Sequence, residues 1–280
     1  MKVASLELKI STLIRKIRKF YIRGALYSLR IELYKIILDP KYSQNMLKPI
    51  LLKIINILAK NLRLRQPSFI LKIVNQKFNS FAQLNQDLFV LDILNYKNNG
   101  FFLEVGAGDG VNLSNTYLLE RDYGWTGILV EPSRNFYDKC CLARKCTVIN
   151  KLLLNSPQTS LKFYEKKIGE FSHSEGYGNF LASEILREYE VATIKFENLF
   201  TNFSPTPSID FLSIDTEGSE REILDSVDFS VHSPLIICIE HNYNKKNRVY
   251  YKRYLRSKGY KLKYPGISRW DSWFVLKSIS

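Results

Sequence analysis

Cysteine and histidine are scarce in this 280-residue chain, with four of the first and three of the second. Cys140, Cys141, Cys146 and Cys238 show no C-x-x-C spacing, and His173, His232 and His241 are not spaced as ligands, so neither a zinc site nor a disulfide framework is expected. No apolar run reaches the roughly 18 uninterrupted residues of a bilayer-spanning helix. Charges also break every candidate apolar core of a secretory signal. Together these absences predict reduced thiols and a cytoplasmic compartment. No RNA- or DNA-binding motif accompanies the basic composition, so nucleic acid is not the expected partner.

Charge divides the chain in two. The net charge is +14, and residues 1–80 hold 17 Lys or Arg against three Asp or Glu, whereas residues 81–280 hold 24 of each. The front part has helical spacing: Leu6, Ile10, Leu13, Ile14, Ile17 and Tyr21 recur on one stripe, and Leu47, Ile50, Leu51, Ile54, Ile55 and Leu58 on another beyond the break at Asp39-Pro40. Residues 1–80 therefore read as a basic amphipathic helical extension. Its apolar face could cap the following domain, or residues 1–65 could attach peripherally to an anionic membrane at its inner surface. Residues 81–280 are long enough for one well-buried α/β domain.

The most informative stretch of that domain is Phe101-Phe102-Leu103-Glu104-Val105-Gly106-Ala107-Gly108-Asp109-Gly110, followed by a second apolar run that closes on Glu131. Glycines allow a tight turn and close approach of a ligand to the backbone, and an acid ending the next strand can accept hydrogen bonds from both ribose hydroxyls. Strand, glycine turn, helix, strand and acid make half of a doubly wound nucleotide fold. A dinucleotide fingerprint would place its third glycine at position 111, which is Val111. Glu104, just before the turn, suits a cofactor carrying an amino group and a sulfonium better than one carrying two phosphates. The details thus favour S-adenosylmethionine, with a dinucleotide-dependent oxidoreductase as the lesser alternative.

Strands are expected over 101–106, 126–131, 146–153, 209–215, 235–240, 260–264 and 272–277. Helices are expected over 114–121, 135–144, 219–225 and 245–258. Such alternation predicts a largely parallel sheet covered on both faces. Residues 156–207 fit least well: Leu161 to Tyr164 reads as an extra strand, and His173 to Gly178 as a glycine-containing loop of an acceptor-facing insertion. Trp125 reads as packing.

The runs Gln83 to Asp87, Phe101 to Gly110, Ser114 to Glu120, Gly124 to Pro132 and Ile209 to Glu220 together resemble the FkbM family of methyltransferases, over roughly residues 80 to 278. The resemblance implies a class I methyltransferase fold, a Rossmann-like doubly wound sheet of order 3-2-1-4-5-7-6. It also implies O-methylation, often of a sugar or polyketide hydroxyl. A glycan, glycolipid or related metabolite is the expected acceptor. The alternative outside enzymology is a noncatalytic membrane-surface binding protein that keeps the fold.

The donor site is assigned to the backbone of Gly106, Ala107 and Gly108 with Asp109 beside them, to Glu104 at the amino-acid end, directly or through water, to Glu131 at the ribose, and to Asn150 at the adenine rim. Asp215-Thr216-Glu217 and Glu240-His241-Asn242 end adjacent strands, so parallel pairing should bring both to the cofactor edge. His241 is the preferred base, with Asp215 beside it. The rival scheme gives Asp215, Glu240 and Asn242 to magnesium, an arrangement similar to that of catechol-type O-methyltransferases although it lacks their adjacent Asp-Asn pair. Glu217 and Glu220 are read as caps of the following helix.

Overall fold

Near-continuous apolar runs become the central strands because a strand buried on both faces has no solvent side to make polar. Phe101–Val105 (β1) and Ile236–Glu240 (β9) are buried at every position. The computed structural model describes residues 80–155, 157–178, 184–203, 206–265 and 268–280. The helices expected within residues 1–65 lie outside these. The described residues belong to a unit spanning Asn75–Ser280.

The main sheet also contains Thr126–Val130 (β2), Thr147–Ile149 (β3), Phe211–Ile214 (β8), Tyr260–Lys263 (β10) and Asp271–Leu276 (β11), in the order β10-β11-β9-β8-β1-β2-β3. Numbering only these seven along the chain gives 3-2-1-4-5-7-6, the doubly wound order that the sequence implied. β1 is the hub: Leu103 stands beside Ile128 on one flank and Leu212 on the other. β11 runs antiparallel to both β9 and β10.

Helices begin and end where side chains or glycine satisfy free backbone groups. Gln86–Ile93 (α1) precedes β1 and was not anticipated. Tyr117–Tyr123 (α2) stops at Gly124, which adopts a φ of 66°. Arg134–Ala143 (α3) is capped by Ser133, and Lys245–Ser257 (α5) by Asn244, whose Oδ1 accepts from the Lys246 and Asn247 amides. Glu220–Ser226 (α4) lies between them in the chain. Trp125 packs on Gly100 and donates its Nε1 hydrogen to the Lys97 carbonyl at 2.8 Å, a structural position as expected.

The expected third strand, 146–153, is two strands in two sheets. β3 pairs with β2, then Leu152–Leu153 (β4) pairs with Ile185–Ile194 (β7). Asn150 marks the departure, because its side-chain amide donates to the carbonyls of Glu131 and Pro132 and braces the chain where it leaves β2. The second sheet has the order β4-β7-β5-β6, with β5 at Ser160–Lys166 and β6 at His173–Ser174. The extra strand expected near 161–164 is therefore present, while the start of the expected loop at His173 is itself a short strand.

Candidate functional site

The glycine turn is shaped by close approach. Gly106 has a φ of 81°, its N–H donates to the Val130 carbonyl at 2.9 Å, and a Cβ built there would stand 1.7 Å from the Asp215 carbonyl oxygen. Glycine is required at this crossing of β1 and β8. Gly108 also has positive φ, but the space where its Cβ would stand is open. That opening belongs to a cavity of about 290 Å³ walled by the β1 turn, the end of β2, the acids after β8 and β9, and the β5–β6 connection of the second sheet.

Glu131 sits at the end of β2 with its carboxylate held in place. One oxygen accepts from the Gly108 amide and the other from the Ser133 amide, each at 2.8 Å. Burial pushes its carboxyl up to about 8. Glu104 also lines the cavity, yet its oxygens accept from the Asn115 amide at 2.7 Å and from the Ser114 and Thr116 hydroxyls. Burial raises this carboxyl too, against the nearby Arg144 guanidinium. Glu104 therefore fixes the loop after the glycine turn while remaining part of the cavity wall, at the place where it was expected to order a cofactor's amino-acid end directly or through water.

Two assignments are corrected by geometry. The Asp109 carboxylate accepts from the backbone amides of Val111 and Asn112, so it braces the turn rather than facing the cavity. Asn150 is the brace between β3 and β4 described above, and it does not line the cavity.

After β8 and β9 the carboxylates of Asp215, Glu217 and Glu240 converge, with one oxygen of each within 4.8 Å of the others. Withdrawal from water raises all three, and a neighbouring carboxylate adds to each: Asp215, beside Asp271, stands well above its ordinary value, Glu217, beside Glu220, rises to about 7, and Glu240, beside Asp215, to about 12. Buried Asp271 adds to the crowding and rises to about 6. Such a group must retain protons or face a cation. Glu220, the first residue of α4, reaches back to accept from the Thr216 and Gly218 amides, so it braces the loop before the helix rather than capping it. Glu217 does not share that role. Asn242 also lines the cavity, its amide donating to Glu240 at 2.6 Å, and Glu217 joins Asp215 and Glu240 as a further oxygen donor.

His241 is also corrected. Glu240 and Asn242 line the cavity, whereas His241 between them does not. His241 directly follows β9, and the chain turns at Asn242, whose backbone is left-handed at a φ of 44°. Its Nδ1 accepts from the Tyr243 amide at 3.1 Å, and burial lowers its basicity.

His173 does reach the cavity. Its Nδ1 lies 3.2 Å from the Phe171 carbonyl oxygen, an acceptor only, which assigns the hydrogen to Nδ1 and leaves Nε2 as the basic nitrogen. The ring tilts against Tyr164, and Gly178 leaves room for it where a Cβ would collide. No local sequence motif marked this histidine; only the antiparallel pairing of β5 with β6 carries it inward.

The model of the methyltransferase FkbM domain matches residues 104–262, more than half of the chain. Among solved structures, the chain is similar to a methyltransferase FkbM from Methylobacillus flagellatus KT, at 14% identity over 81% of this chain and 60% of that one, with a TM-score of 0.39. It is also similar to a precorrin-6y C5,15-methyltransferase from Geobacter metallireducens GS-15, at 14% identity over 63% and 71%, with a TM-score of 0.37. No curated protein sequence matches significantly.

Proposed function

This chain belongs to the FkbM methyltransferase family, and from that premise we propose that it transfers the methyl group of S-adenosylmethionine to a hydroxyl of a glycan, glycolipid or related metabolite. The observation that carries the donor assignment is Glu131. Its carboxylate is locked beside open Gly108 at the end of β2, where the remaining lone pairs can accept from a ribose diol. When bound, the donor supplies an electrophilic methyl group on a cationic sulfur. The acidic trio, whose burial favours retained protons, can ionise against such a charge.

Methylation of a hydroxyl requires a proton acceptor within reach of the oxygen. His173, rather than His241, supplies it in this reading, because it lines the cavity and commits its Nδ1 hydrogen to the Phe171 carbonyl, leaving Nε2 as the basic nitrogen. The second sheet that carries His173 would then select the acceptor. A divalent cation is the second reading: Asp215, Glu217 and Glu240 offer hard oxygen donors that fit magnesium. Magnesium there would polarise the acceptor hydroxyl.

Residues 1–65 are proposed to bring the enzyme to an anionic membrane surface. Calorimetry with S-adenosylhomocysteine is the test of the donor site. Replacing Glu131 with Ala removes the acceptor facing the ribose hydroxyls, a loss of about 1–3 kcal/mol, so affinity should fall on the order of tenfold. Unchanged affinity would remove Glu131 from the donor site. Tritium transfer from labelled donor into separated glycan and lipid fractions, repeated in EDTA, tests acceptor class and metal need together.

A further inference from the structure

Between residues 245 and 263 there are nine Lys or Arg and no Asp or Glu. The remainder of residues 81–280 carries 15 basic residues against 24 acidic ones. The domain as a whole is neutral, but its charge is segregated, with a cationic pole on α5 and β10. Lys245, Lys246, Arg248, Lys252, Arg253, Arg256 and Lys258 are all exposed along α5, as is Lys261 on β10, the edge strand of the main sheet. Among the described residues, none of these cations is paired with a carboxylate. Like charges without counterions repel one another, and the arrangement costs stability that an external anion would restore.

We infer that this face is a docking surface for anionic lipid headgroups. A helix flank is convex and presents a row of cations to a plane, the geometry of an anionic bilayer. Exposed Val249 lies within the row, and exposed Tyr243 immediately precedes the helix. Both side chains suit the boundary between headgroup and hydrocarbon. Single-stranded nucleic acid fits less well, because it needs aromatic platforms for bases. The aromatic rings of α5 are used internally: Tyr250 stacks on Tyr254 at 5.6 Å and is covered by Arg221, while Tyr251 is fully buried. Tyr243 and Asn242, at the start of this face, also line the active-site cavity, so docking here would place the cavity beside the lipid surface.

The experiment uses the full chain and requires neither donor nor acceptor, so its failure would leave the methyl-transfer reading standing. Sedimentation with vesicles of phosphatidylglycerol and phosphatidylcholine is compared for the native chain and for two triple variants of the face, K252Q/R253Q/R256Q and K245Q/K246Q/R248Q. A control, K139Q/K145Q/K167Q, removes the same charge from exposed lysines elsewhere. Each face variant should bind at least tenfold more weakly, with the control within about twofold of the native chain, because each cation at the surface contributes separately. Equal losses in face and control variants, no loss in the face variants, or tighter binding of a single-stranded oligonucleotide than of the vesicles would overturn the inference.

Discussion

Glu104 and Glu131 end neighbouring strands and line the same cavity, yet their hydrogen bonds assign them different work. Glu104 accepts three hydrogen bonds from the loop from Ser114 to Thr116, whereas Glu131 is oriented by two backbone amides and keeps more of its accepting capacity. Gly106 is a sharper case, since both its positive φ and the 1.7 Å approach to the Asp215 carbonyl exclude a side chain. Substituting Ala there should cost on the order of 3 kcal/mol or more, read as a lost or strongly lowered thermal transition. His173→Asn should reduce methyl transfer by about 10²-fold or more while leaving S-adenosylhomocysteine affinity within about twofold, the signature of a lost general base. His241→Asn should lower activity far less. The reverse ranking would return the base to His241. The sequence marked Glu131 and Gly106 because local spacing defines their roles. It did not mark His173, whose position depends on its strand partner Tyr164, nine residues earlier.

At the scale of elements, β1, β2, β8, β9 and β11 were legible because each is a largely apolar run buried in the core. β7 was not legible: Ile185–Ile194 carries Arg187, Glu188 and Glu190, is mostly exposed, and is held by pairing with β5 rather than by its own burial. The split of residues 146–153 was hidden for a related reason, since apolar Leu152 and Leu153 look the same whichever sheet receives them. Arg144, capping α3, shows how the elements behind the glycine turn are tied. Its guanidinium reaches Glu120 of α2 at 2.6 Å, the Gly110 carbonyl at 2.9 Å and the Thr116 hydroxyl at 2.9 Å, all from a fully buried position. Arg144→Met would leave Glu120 and the Gly110 carbonyl without their partner, at a cost of about 3–5 kcal/mol in chemical denaturation. Arg144→Lys should recover little of it, because an ammonium cannot span three acceptors in one plane.

For the molecule as a whole, the acids gathered at the cavity make stability depend on pH. In the folded chain Glu131 is raised from 4.5 to about 8, Glu217 from 4.5 to about 7 and Asp271 from 3.8 to about 6. A raised carboxyl means that the native state holds its proton more tightly than the unfolded one. The stabilisation is therefore complete below the ordinary values and is lost as pH rises through the raised ones. The melting temperature of the unliganded protein should fall between about pH 5 and pH 8, and Glu217→Gln should make that fall shallower up to about pH 7. A melting temperature that climbs over this interval would contradict the protonated cluster. The sequence by itself determined the doubly wound sheet, the glycine turn and the acid after β2, because runs of apolar residues, obligatory glycines and strand ends are local properties of the chain. Only the tertiary structure decided which acids meet, which histidine faces the cavity and which carboxylates are already spent on backbone amides. Those outcomes depend on through-space distances between elements far apart in sequence, and no local pattern encodes them.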